Sequence, residues 1–209
     1  MKIQLVTLLS GVSAAQAASR VFSSAKQALE GKLVLDKLNG AIVETEFVLK
    51  DGRTGTVFRR DSGPCCVSPI PSWPGLDRTW TPGSETTSYC DMSKAFGRED
   101  DYIGLGTVED CTVLRDYILE TPGAFLMGPD AFLPGMYTGL IGHKTCVVGA
   151  GLDPGASGEG LYIGNKDVAD VITLVMDKFV KENGTLFTEG YWPCAGPSGR
   201  TEPGIWNVW

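Results

Sequence analysis

Residues 41–58, Ala-Ile-Val-Glu-Thr-Glu-Phe-Val-Leu-Lys-Asp-Gly-Arg-Thr-Gly-Thr-Val-Phe, alternate apolar and polar positions around Asp51-Gly52. That pattern predicts two short strands joined in a hairpin. The regularity then breaks: Pro64, Pro69, Pro71, Pro74 and Pro82 punctuate residues 61–88, together with Trp73 and Trp80. Proline fixes φ and lacks an N–H, so this stretch reads as an extended arm anchored by its tryptophans. Order returns after Tyr89. Thr107-Val-Glu-Asp110 has the spacing of a capping box, and Cys111, Leu114 and Ile118 follow on one helical face until Thr121-Pro122-Gly123. Short apolar runs at 124–127, 136–141, 145–148 and 161–163 read as strands. A second helix is predicted over 166–183, with Val168, Val171, Ile172, Val175 and Phe179 as its stripe, Asn165 as N-cap and Gly184 just past its end. A last strand spans 185–191. Two amphipathic helices against an antiparallel sheet make an α+β two-layer sandwich.

The first residues add a destination. A basic start, an apolar run over 3–15 and Ala15-Gln16-Ala17 describe a secretory signal peptide with cleavage expected after Ala17. In an oxidising compartment thiols pair, so Cys65, Cys66, Cys90, Cys111, Cys146 and Cys194 are expected in disulfides; none has C-x-x-C spacing. Asn183-Gly184-Thr185 is an N-glycosylation sequon. No later run reaches the ~20 apolar residues of a membrane span.

Charge divides the chain. Residues 18–60 carry eight basic and five acidic side chains, whereas 61–209 carry nine and twenty. The junction is the dibasic pair Arg59-Arg60. Two readings stand side by side: residues 18–60 are a basic pro-segment cut by a kexin-type protease after Arg60, or the pair simply ends an exposed strand.

The net charge of −7 argues against a nucleic-acid partner, because phosphate binding requires a basic surplus. One histidine, His143, leaves no His-based zinc site and one base at most for a nucleophilic triad. His143 and Lys144 read as an exposed loop pair. Gly149-Ala-Gly151 reads as a flexible loop, since Pro154 stands where a nucleotide fingerprint needs glycine. Gly155-Ala-Ser157-Gly158-Glu159 lacks the last glycine of a nucleophile elbow. Glu99-Asp100-Asp101 reads as a solvated loop. No catalytic, metal-binding or cofactor-binding residues are assigned, and the protein is expected not to be an enzyme.

Cys90, Asp110-Cys111 at a helix start, Gly142 and Thr145-Cys146 on a strand follow a recognisable order. Ile163-Gly-Asn-Lys-Asp167-Val168-Ala-Asp170-Val171-Ile172 opens the second helix, and Gly190-Tyr-Trp-Pro-Cys194 closes the series. Together these resemble the fungal secreted effector domain of the putative necrosis-inducing factor (extracellular-protein-2-like) family, over roughly residues 89–195. Cys65, Cys66 and residues 18–88 lie outside that pattern. The domain division is then 1–17, 18–60, 61–88 and 89–209, the last ending in a C-terminal tail. The resemblance implies a secreted α+β protein of plant-associated fungi linked to host cell death, with no known catalytic residues.

Four framework cysteines allow three pairings, and the sequence does not select one. Cys90 with Cys194 and Cys111 with Cys146 is the expected set, each bond worth roughly 3–5 kcal/mol on the chain-entropy account. A bond between Cys65 and Cys66 is expected by default. The expected partner is a host protein or glycan, the expected state a monomer, and the expected location extracellular. Two other functions are kept. One is a killer-toxin-like antimicrobial or membrane-active protein, whose membrane action the acidic surface disfavours. The other is a carbohydrate-binding or carbohydrate-active protein using tryptophans such as Trp73 and Trp192.

Overall fold

The alternation at 41–58 folds as expected: β1 (Ile42–Val48) runs antiparallel to β2 (Thr54–Arg60), with Val48 opposite Thr54 and Ile42 opposite Arg60. Gly52 closes the turn with φ +89° and donates its N–H to the Leu49 carbonyl at 2.9 Å. The computed structural model describes residues 42–60, 80–99, 106–128 and 137–209. Ala17, Cys65, Cys66 and Trp73, with the readings attached to them, lie outside the described residues.

The hairpin does not stand apart. Phe58 and Arg59 pair with Gly142 and Ile141 of β7 (Thr138–His143), Val57 and Leu49 are buried, and the Phe47 ring lies 4.7 Å from that of Tyr117. Residues 42–60 therefore supply two strands of the main sheet. That sheet has seven antiparallel strands in the order β1-β2-β7-β8-β12-β11-β4, with β4 (Phe96–Glu99), β8 (Cys146–Leu152), β11 (Thr188–Ala195) and β12 (Thr201–Val208). Two smaller sheets join it: β3 (Trp80–Pro82), β6 (Gly123–Met127) and β9 (Leu161–Gly164) form one, and β5 (Gly106–Thr107) pairs with β10 (Thr185–Leu186) in the other.

Three loop and tail expectations are corrected by the structure, beside those for the second helix. The C-terminal tail is a central strand: β12 lies between β8 and β11, and Trp209 extends its ladder by exchanging hydrogen bonds with Val147 at 2.7 and 3.1 Å. Pro203-Gly204 masks it in sequence. The structure needs Gly204 without a side chain, because it lies opposite Trp192, whose ring a Cβ on Gly204 would meet at 2.8 Å. Gly149-Ala-Gly151 is likewise no loop; it lies within β8, buried along its length and paired on both sides. His143 is not exposed either. It is 1% accessible, and its Nδ1–H donates to the Thr56 carbonyl at 2.8 Å, tying β7 to the hairpin.

The helices pack on each other and on one face of the large sheet. Helix α1 (Val108–Glu120) begins at Thr107, whose hydroxyl oxygen accepts from the Asp110 N–H at 3.2 Å. Helix α2 (Asn165–Lys178) is shorter than the predicted 166–183, and its N-cap is Gly164, not Asn165. The chain leaves helical geometry at Phe179. Gly184 (φ +77°) instead closes a turn in which Lys181 N–H meets the Thr185 carbonyl. The fold is α+β, its helices laid against mostly antiparallel sheet, with Leu114, Ile118, Val168, Val171, Ile172, Val175, Trp192 and Trp206 among its core.

Candidate target-binding surface

The segment 163–167 carries much of the resemblance, and its role is to hold another piece of chain. Asn165 is fully buried. Its Oδ1 accepts from the Thr87 N–H at 2.8 Å, while its Nδ2 donates to the Ile118 carbonyl at 3.0 Å. Lys166 N–H donates to the Thr87 carbonyl at 3.0 Å. Asp167, also fully buried, accepts from the Ser88 hydroxyl (2.7 Å), the Tyr89 N–H (2.8 Å) and the Gly164 N–H (2.7 Å). The free N–H groups of a helix start and its positive end suit such a carboxylate. Burial nevertheless pushes the Asp167 carboxyl above its ordinary value, the three donors offsetting part of that effect. Gly164 is required by approach: a Cβ would sit 2.1 Å from the Thr87 carbonyl oxygen.

This clamp sets residues 87–90 and aims two neighbours in opposite directions. Cys90 points inward to its disulfide with Cys194, and Tyr89 points outward, 40% exposed, its ring 5.4 Å from that of Tyr162. The chain then turns tightly. Asp91 accepts from the Ser93 N–H and hydroxyl and pairs with Lys94 at 2.9 Å, so its carboxyl is held below its ordinary value, first by Ser93 and then by Lys94. Next comes β4 at the edge of the large sheet. Phe96 is 59% exposed and stacked on Tyr191 with centroids 5.4 Å apart and planes at 24°. Arg98 pairs with Glu189, which also accepts from the Tyr137 hydroxyl at 2.8 Å. A shallow cleft of about 130 Å³ lies between Tyr89, Asp91 and Lys94 on one side and Gly199, Arg200 and Thr201 on the other. The result is a rim of anchored aromatic rings interleaved with ion pairs, braced by a disulfide and a helix start.

The sequence did not single out Tyr89, Phe96, Tyr162 or Tyr191. Only Tyr89, beside a framework cysteine, had a signal that could have found it. The tryptophans Trp80 and Trp192, which it did single out, go elsewhere, as does Trp206: they are 4%, 0% and 0% accessible. A buried indole cannot stack on a sugar, so the carbohydrate reading loses Trp192.

The remaining candidates are engaged inside the fold. Asp110 accepts from the Thr145 hydroxyl at 2.5 Å and from its N–H at 3.3 Å. Burial pushes its carboxyl up, but those bonds and the Lys144 and His143 charges outweigh this and leave it below its ordinary value. Ser157 donates its hydroxyl and N–H to Glu202 at 2.6 and 2.8 Å, and Glu202 is 3% accessible, so this pair pins a loop to β12. Cys111 bonds to Cys146, joining α1 to β8. Among the described residues no group of three or more His, Cys, Asp or Glu side chains could hold a metal ion, and no helix is long and apolar enough to cross a membrane. Asn183 is exposed, its Oδ1 accepting from the Thr185 N–H (3.1 Å) and hydroxyl (2.7 Å). Arg59 pairs with Val43 on one side and Ile141 on the other, and Arg60 ends the strand opposite Ile42.

Comparison with curated proteins gives no match. A family model does match, over residues 89–194, from the clamped Tyr89 to the disulfide-bonded Cys194. It is the model of a pathogen effector described as a putative necrosis-inducing factor, it spans half of the chain, and the chain belongs to that family.

Proposed function

We propose that the protein is a secreted, non-catalytic effector that induces or modulates host cell death by binding a host protein through the aromatic rim of Tyr89, Tyr162, Phe96 and Tyr191. The observation that carries this reading is the exposure of Phe96 on a rigid edge. Its ring is stacked on Tyr191, β4 is held by pairing to β11, and ion pairs flank it. Pre-ordered aromatic side chains of this kind lose little entropy on association and dominate interface energetics. Secretion follows from the expected leader ending at Ala17 and the two disulfides, and the exposed Asn183 sequon suits a glycan on the same route.

The test uses the full chain secreted from a eukaryotic host and infiltrated into leaf tissue of responsive plants. Phe96→Ala combined with Tyr191→Ala is expected to abolish cell death while leaving the thermal midpoint within a few degrees of wild type. A double variant that kills as well as wild type would refute the rim as the contact surface.

A further inference from the structure

Arg59-Arg60 is the one pair of adjacent basic residues in the sequence, and the effector reading leaves it unused. Endoproteases that read paired basic residues draw the substrate into an extended conformation in their own cleft, so they cut where backbone is free. Here the residues before the scissile position are not free. Arg59 lies opposite Val43 on one side and Ile141 on the other, Phe58 opposite Gly142, and Arg60 opposite Ile42. The recognition group is occupied as well: the Arg59 guanidinium lies 5.4 Å from the Trp80 ring centroid, and its Nε is buried.

Freeing this stretch means peeling the hairpin from the domain. Val57 is fully buried, the Thr56 carbonyl accepts from His143, Arg53 bridges to Asp116 at 2.5 Å, and the Lys50 N–H reaches the Glu120 carboxylate at 3.1 Å. Every cysteine lies at position 65 or later, so no disulfide holds the hairpin. Its attachment is a local folding equilibrium, and that equilibrium sets access to the bond.

We propose that Arg59-Arg60 is a fold-masked processing site. A paired-basic endoprotease hydrolyses the Arg60–Asp61 peptide bond in the unfolded chain, water supplying the new Arg60 carboxylate and the new Asp61 amine, and the folded chain is spared. The working effector keeps residues 42–60 as part of its sheet, and cleavage removes them from chains that have failed to fold. The inference does not depend on which host molecule the rim binds.

The test exposes the full chain to a kexin-type endoprotease in two states, oxidised and folded or reduced and unfolded, and follows the cut by mass spectrometry. Cleavage after Arg60 is expected at least about 100-fold slower in the folded state, since cutting there tracks the open population. Val57→Ala, or Arg53→Ala if the former fails to fold, is expected to speed the folded-state cut without changing the unfolded-state rate. Arg60→Ala is expected to block both. A folded-to-unfolded difference below about tenfold overturns the proposal, as does an unfolded chain left intact at Arg60.

Discussion

Asp167 and Asp110 are both buried carboxyls near the start of a helix, yet their surroundings give their stability contributions opposite dependence on pH. Alanine at 167 strands the N–H groups of Gly164 and Tyr89 without their acceptor. At about 1–3 kcal/mol for each buried donor, the loss is about 2–6 kcal/mol, a large part of the ~5–15 kcal/mol of an ordinary domain. Asparagine is milder. One oxygen accepts both N–H groups in the native clamp, an amide oxygen can do the same, and the amide N–H₂ can donate to Ser88, so Asp167→Asn costs about 1 kcal/mol at neutral pH. The pH dependence then separates the sites. Asp167 has a native value raised by burial, so its stabilisation is complete below the ordinary 3.8 and is lost as pH rises through the raised value. Asparagine does not titrate, and the gap between wild type and Asp167→Asn is expected to widen from pH 7 to pH 4. At Asp110 burial is outweighed by Thr145, Lys144 and His143, so its stabilisation is present above 3.8 and disappears as pH falls through the lowered value. The gap for Asp110→Asn is widest at neutral pH and closes in acid. Urea unfolding followed by circular dichroism at several pH values between 3 and 7 reads both gaps. A gap for Asp167→Asn that narrows toward pH 4, or an Asp167→Ala chain within 1 kcal/mol of wild type, would refute the account of the clamp.

Two further predictions follow from close contacts. Gly164→Ala places a Cβ against the Thr87 carbonyl oxygen, so residues 87–90 must shift; secreted yield and thermal midpoint are expected to fall, and an unchanged midpoint would show that the approach is not tight. Asn183→Gln is expected to lower the intact mass of protein secreted from a eukaryotic host by one N-glycan without changing the thermal midpoint, because Asn183 is exposed and its bonds are to Thr185 alone; equal masses before and after glycosidase treatment of wild type would refute the modification.

Elements with a local signature were legible before the fold was known. The Asp51-Gly52 hairpin, the Thr107 cap, the α1 face of Cys111, Leu114 and Ile118, and the α2 stripe each depend on residues within a few positions of one another. Elements defined by their neighbours were not. β12 contains Pro203 and Gly204, and β8 contains Gly149 and Gly151; each is a strand because partners flank it on both sides, and in β12 the Trp192 ring needs the space beside Gly204. The aromatic rim escaped notice for a related reason. Tyr89 and Tyr162 are far apart in sequence, as are Phe96 and Tyr191, and their exposure is a property of the packed surface.

By itself the sequence determined an α+β class with an acidic body, since apolar period and capping chemistry are written locally, and its resemblance to a known family supplied the effector class. The tertiary structure decided what those residues do. It turned the Ile163–Asp167 signature into a clamp, the C-terminal tail into a central strand and the dibasic end of the hairpin into a strand paired on both sides. The physical reason is that burial and strand pairing join residues tens of positions apart, and no local pattern records which ones meet.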